Sequence, residues 1–168
     1  MKKIILLLGI CFWISGVYGQ RFEANPMDDG NSFEIRIKNF NKLFGELFVP
    51  EKLAPLSKDK QKTEQRAEWR GKCANRLMSD KLKQILTEVA ETVGGGLWVT
   101  FYIDETGNVL TVQFVASSTV YVKLPAKILK ELYHAALKEK FDPSCYNFSD
   151  MHVYAVDGFD LMKRAVGK

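Results

Sequence analysis

Between Leu97 and Ala116 apolar and polar residues alternate almost without a break, interrupted once by an acidic, glycine-containing turn. Leu97, Val99, Phe101 and Ile103 alternate with Trp98, Thr100 and Tyr102. Asp104-Glu105-Thr106-Gly107-Asn108 then reverses the chain, and Leu110, Val112, Phe114 and Ala116 alternate with Thr111, Gln113 and Val115. Successive strand side chains point to opposite faces, so this period of two predicts a hairpin of two strands with one buried face. An isolated hairpin is marginal in water. Other elements must therefore cover Val99, Phe101, Ile103, Leu110, Val112 and Phe114. Asp104 and Glu105 lack the repeated oxygen ligands of a calcium loop and read as turn residues.

Two amphipathic helices flank this hairpin. From Ser79 to Val93 the stripe is Leu82, Ile85, Leu86, Val89 and Val93, with Ser79 as cap and Gly94-Gly95-Gly96 as stop. No Lys-Ser/Thr pair follows the glycines and the helix precedes them, so they end a helix rather than cradle a phosphate. Pro125 opens the second helix, whose stripe is Ile128, Leu129, Leu132, Ala136 and Leu137, and Phe141-Asp142-Pro143 ends it. Met151 to Val156 reads as a last short strand before a tail from Asp157 to Lys168. The order predicts an α+β domain over residues 79–156, helix-strand-strand-helix-strand, with two helices packed on a three-stranded antiparallel sheet. Leu82, Leu86, Ile128 and Leu132 are the helical residues expected to meet the inward strand set.

The N-terminal third changes character more than once. Residues 20–32, with Asn25, Pro26, Asp28, Asp29, Gly30 and Asn31, read as a loose polar lead-in. Phe33 to Lys38 alternates apolar and charged residues like a half-buried strand. Phe40, Leu43, Phe44, Leu47 and Phe48 fall on one helical face before Pro50 stops the helix. Residues 54–72 are polar and charged, with Trp69 the only large aromatic, and read as a connector that can be helical in its second half. Residues 33–72 are thus an N-terminal strand-and-helix extension with its connector, and residues 73–168 hold the main domain.

The first nineteen residues read as an address. Lys2 and Lys3 precede an apolar run from Ile4 to Val17, and small residues follow at Val17 and Gly19, as in a cleaved secretory signal peptide. About 14 apolar residues fall short of the ~20 that span a bilayer. Ile10 precedes Cys11 and the apolar run continues beyond it, unlike a lipid-modified cysteine. Removing Lys2 and Lys3 from 24 basic residues leaves 22 against 20 acidic ones, a net charge of +2. That weak field argues against nucleic acid as a partner. The basic cluster Lys58, Lys60, Lys62, Arg66, Arg70 and Lys72 is interleaved with Asp59, Glu64 and Glu68, as on a solvated helix. With 46% hydrophobic residues the chain is too apolar to stay disordered and large enough for one packed core. After the signal two cysteines remain, Cys73 and Cys145, and an even count in an exported protein favours a Cys73–Cys145 disulfide.

The run Val99-Thr100-Phe101-Tyr102-Ile103-Asp104-Glu105-Thr106-Gly107-Asn108-Val109 fits a V-x-F-x-I-D-x-x-G-x-V pattern. Ser117-Ser118, an Ala- and Leu-rich helix and Phe141-x-Pro143 follow. In this order the residues resemble the TonB C-terminal domain. Two departures are Pro125, after Leu124 where the family more often has Leu-Asp, and the absence of a proline-rich spacer. The resemblance implies contact with an outer-membrane receptor, made by pairing a strand with a short receptor segment. The family's energy transducers are membrane-anchored, whereas this chain is expected to lose its apolar leader. The resulting expectation is a free periplasmic or secreted module, non-catalytic and without cofactor or metal. It would bind an envelope protein or peptide, with no stable membrane insertion once the signal is removed.

Two surfaces are candidates for that binding. Trp98, Thr100 and Tyr102, beside Thr111, Gln113 and Val115, form the face opposite the core, and Trp and Tyr suit partner contact. Alternatively residues 33–48 fold over this face and bury it, leaving the exposed edge of the last strand, Met151 to Val156, for strand addition. A different class is a small exported enzyme. It would pair Cys145 with His134 or His152 as a thiol dyad, or hold zinc through Asp150 and His152 with Cys145 or His134.

Overall fold

The structure, a computed structural model, describes residues 21–167; the expected signal peptide, residues 1–19, lies outside the described residues. The chain folds as α+β, with one antiparallel sheet and six α-helices among the described residues. The strands are β1 (Phe22–Pro26), β2 (Ser32–Ile37), β3 (Leu97–Asp104), β4 (Val109–Ser117) and β5 (Tyr154–Asp160). The helices are α1 (Phe40–Phe44), α2 (Lys60–Leu77), α3 (Asp80–Thr92), α4 (Ser118–Tyr121), α5 (Ala126–Ala136) and α6 (Leu161–Ala165). Across the sheet the order is β1-β2-β4-β3-β5, and no helix of the described residues is long and apolar enough to cross a membrane.

The expected three-stranded sheet is therefore five-stranded. The strand expected over Phe33 to Lys38 is β2, which joins β4 in the main sheet, and the expected lead-in supplies β1, so residues 22–37 form a hairpin added to β4. Phe22 and Ala24 alternate with Glu23 and Asn25, and Asp29 Oδ1 holds the turn by accepting from the N–H groups of Asn31 and Ser32, both at 2.9 Å. The expected connector is the long helix α2, capped by Asp59 and burying Cys73, Ala74 and Leu77. The last strand lies at Tyr154–Asp160 instead of Met151–Val156. The supposed tail includes α6, whose Leu161, Met162 and Ala165 are buried.

One face of the sheet carries the main core. Val99, Phe101 and Ile103 of β3 and Val112, Phe114 and Ala116 of β4 are buried with Leu82, Leu86 and Val89 of α3 and Ile128, Leu129 and Leu132 of α5. Ser79 caps α3 as expected, accepting from Leu82 N–H at 3.3 Å. The hairpin register is Val99↔Phe114 and Phe101↔Val112, then slips after Tyr102↔Thr111 to Ile103↔Val109. One extra residue in β4 forms a bulge there. Val109 consequently takes the buried position expected of Leu110, which is half-buried.

The β3–β4 turn is held by Asp104, whose Oδ1 accepts from Thr106 N–H and Asn108 N–H, both at 2.9 Å, and from Thr106 Oγ1 at 2.7 Å. Gly107 has φ +85°, and a Cβ there would run into the Phe141 carbonyl, so the turn docks directly on the end of the following helical region. Burial acts to raise the Asp104 pKa, but the hydrogen bonds from Thr106 and Asn108 outweigh it and leave the carboxyl below its usual range. A depressed folded-state pKa supplies stability that is present above the unfolded pKa and lost as pH falls through the folded one. In acid titration, the thermal midpoint of Asp104→Asn should fall less steeply below about pH 4 than that of the parent. Parallel curves would remove Asp104 from the acid response.

Candidate functional site

β1 is an outer strand, and its second edge is unpaired among the described residues. Lys38 N–H bonds to Arg21 C=O at 2.7 Å and Met27 N–H to Ser32 C=O at 2.9 Å. In an antiparallel ladder the pairing residues alternate, so Arg21, Glu23 and Asn25 face β2. Phe22 and Ala24 turn their N–H and C=O groups outward, and Pro26 closes that edge because it has no donor.

Beside this edge lies an open groove of about 680 Å³ between β1 and the segment carrying α4 and α5. Its apolar walls include Phe22 and Ala24 from the strand and Tyr121, Leu124 and Leu129 from the helical side, with Arg21 and Lys130 as its charged members. The local packing orients it. The Phe22 ring meets the edge of Tyr133 at 5.3 Å, whereas Phe33, paired with Pro26, stacks on Tyr121 at 4.4 Å. Helix α5 thus runs back along β1 in the opposite direction. Unpaired main-chain groups beside an apolar trough are what an extended segment needs for strand addition: hydrogen bonds along one side and pockets for alternate side chains.

The six residues singled out on the sheet do not form one surface. Cross-strand neighbours are Trp98–Val115, Thr100–Gln113 and Tyr102–Thr111. The bulge sends Thr111 to the helical side, where it is fully buried with its hydroxyl 3.2 Å from that of Tyr133. Tyr102 is covered, with Phe48 stacked on it at 4.3 Å and Phe40 at 5.6 Å. Gln113 donates to Glu34 Oε1 at 2.6 Å and accepts from Tyr102 OH at 3.1 Å, so it belongs to a polar ladder across the sheet. Residues 40–48 thus cover the Tyr102 end of this face. Trp98 at the other end remains 44% exposed, beside half-buried Thr100 and Val115. The indole lies over Gly158, where a Cβ would sit 2.9 Å from its Nε1.

The edge of the last strand is partly occupied too. Ala54 N–H bonds to Tyr154 C=O at 2.6 Å, and Gly158 N–H is taken by the Asp157 carboxylate at 2.7 Å. Less of that edge is left for a partner than of β1.

Cys73 and Cys145 are free and buried, in contrast to the expected disulfide. The Cys145 thiol reaches Lys62 C=O in the first turn of α2 at 3.7 Å, whereas Cys73 lies eleven residues further along that helix. At ~1.5 Å per residue Lys62 and Cys73 are roughly 16 Å apart along α2, which keeps the two thiols out of disulfide reach. Burial raises the Cys145 pKa, with nearby Asp142 adding to it, which disfavours the thiolate a nucleophile needs. His152 Nδ1 is 3.0 Å from Ser149 Oγ, and His134 sits on α5 near Lys130 and Lys138. Among the described residues no three His, Cys, Asp or Glu side chains are grouped to hold a metal.

No family model and no curated protein matches the chain. Among solved structures it is similar to a DUF5043 family protein from Bacteroides uniformis. The identity is 11%, the TM-score is 0.47, and the match covers 84% of this chain and 85% of that one.

Proposed function

We propose that this chain is an exported, non-catalytic module that binds an extended segment of an envelope protein or peptide by strand addition. The observation that carries the reading is the free edge of β1, with the main-chain groups of Phe22 and Ala24 turned outward, beside a groove of about 680 Å³ walled by apolar side chains. Export rests on the N-terminal pattern of Lys2, Lys3 and the apolar run to Val17. Strand pairing is also the device implied by the resemblance to the TonB C-terminal domain. With the outer face partly covered, the sequence reading leaves the edge of the last strand for this pairing, whereas the more open edge here is β1.

The test uses one substitution that removes the outward donor without touching the β1–β2 ladder. Proline is tolerated on an edge strand where its missing N–H would face away from the sheet. In Ala24→Pro the thermal midpoint should stay within a few degrees of the parent. Proteins captured from an envelope extract by the parent, identified by mass spectrometry, should be missing from the variant's eluate. Undiminished capture by a folded Ala24→Pro protein would remove β1 as the binding edge.

A further inference from the structure

We infer that the β1 groove takes the free C-terminus of its partner, an extended apolar segment that ends in its own carboxylate at Arg21 and Lys130; the inference rests on the strand-addition reading above.

Direction is the basis of the argument. Phe22 packs against Tyr133, and Lys130 lies one helical turn before Tyr133, on the same side of α5. Arg21 immediately precedes Phe22. Arg21 is therefore at the Phe22 end of β1, and Lys130 stands beside the Phe22 half of the strand. At the Pro26 end, where Tyr121 stacks on Phe33, the lining is apolar. No acidic side chain lines the groove, and neither Arg21 nor Lys130 has an ion-pair partner among the described residues; the nearby Glu131 lies 4.0 Å from Lys127.

Every neighbouring pair in this sheet is antiparallel. A strand added in the same sense enters beside Pro26, runs along Ala24 and Phe22, and finishes beside Arg21 and Lys130. Its terminal carboxylate then meets two cations. A strand added in the parallel sense would instead bring its terminal ammonium to that positive end and be repelled. Charge thus selects both the direction of the strand and the end of the partner that binds. Side chains of alternate residues fall toward Tyr121, Leu124 and Leu129, so the ligand is apolar at every second position.

The probe is a pair of random octapeptide bead libraries attached through their N-termini, one with free C-terminal carboxylates and one amidated, exposed to the purified labelled protein. The carboxylate library should yield bound sequences enriched in β-branched or aromatic residues at alternating positions, and the amidated library should not. For an enriched octapeptide, amidation should weaken binding about tenfold, the size expected of two partly exposed cations acting together. Arg21→Met/Lys130→Met should bind the acid and amide forms alike while keeping the parent's thermal midpoint. Equal enrichment from both libraries would overturn the carboxylate inference and leave strand addition standing. Absence of enrichment from either would overturn both.

Discussion

Phe101→Ala is expected to cost about 3–5 kcal/mol, the range for deleting a large aromatic from a packed core. Phe101 is fully buried at the point where three separate parts of the chain converge on β3. Its ring lies 5.2 Å from Phe141 after α5, 5.7 Å from Phe159 on β5 and 5.9 Å from Trp69 on α2. Trp69 is itself fixed, because its indole N–H donates to Lys140 C=O at 2.9 Å. The surrounding rings are anchored to different elements and cannot all collapse into the space left behind, which places the cost toward the upper part of that range. Urea unfolding with a shared slope for parent and variant reads the difference directly. A loss below about 1 kcal/mol would mean that this aromatic cluster is not the centre of the core.

The same residue shows how much could be read without coordinates. Phe101 declares itself through the period of two in β3, and α3 and α5 do so through stripes such as Leu82-Leu86-Val89 and Ile128-Leu132 that are both regular and apolar. The hairpin, these two helices and the α+β class follow from pattern alone. The alternation of Phe33 to Lys38 also marks β2, whereas β1 and the elements whose inward residues are charged are not legible. Helix α2 looks solvated because Arg66 and Arg70 are charged, yet both turn toward the buried carboxylate of Asp157. Asp157 for the same reason reads as the start of a tail, although it is the middle of β5. The bulge at Leu110 breaks the alternation by which the sequence puts Thr111 on the outer face. As for the candidate site, β1 gave only the faint alternation of Phe22 and Ala24 with Glu23 and Asn25. No local pattern can announce that this strand lies beside Tyr121 to Lys130, a hundred residues away. That juxtaposition depends on the sheet order, which long-range packing decides.

Asp157→Ala should be comparably destabilising, by about 3–5 kcal/mol, for a different physical reason: it strands cations rather than opening a void. The Asp157 side chain is completely buried on the helical face of β5, opposite Phe101. Its Oδ1 accepts from Arg70 Nε at 2.6 Å and Oδ2 accepts from Tyr146 OH at 2.7 Å, while Arg66 Nε stands 3.6 Å from Oδ2. Burial, followed by the charge of Asp157, raises the Tyr146 hydroxyl pKa and keeps it a donor to this carboxylate. Removing the carboxylate takes the acceptor from the buried Tyr146 phenol and the counter-charge from the partly buried Arg66 and Arg70 at once, and it deprives α2 of its polar anchor to the sheet. Amide exchange in Lys60–Leu77 should therefore accelerate more than in α3. A second substitution separates the lost pair from the stranded charge. Because an apolar replacement of a whole buried ion pair is often close to neutral, Asp157→Ala/Arg70→Leu should be more stable than Asp157→Ala alone. If the double variant is instead as unstable as the sum of the two single ones, Arg70 and Asp157 are not energetically coupled. The docking of α2 would then rest on Trp69, Cys73, Ala74 and Leu77.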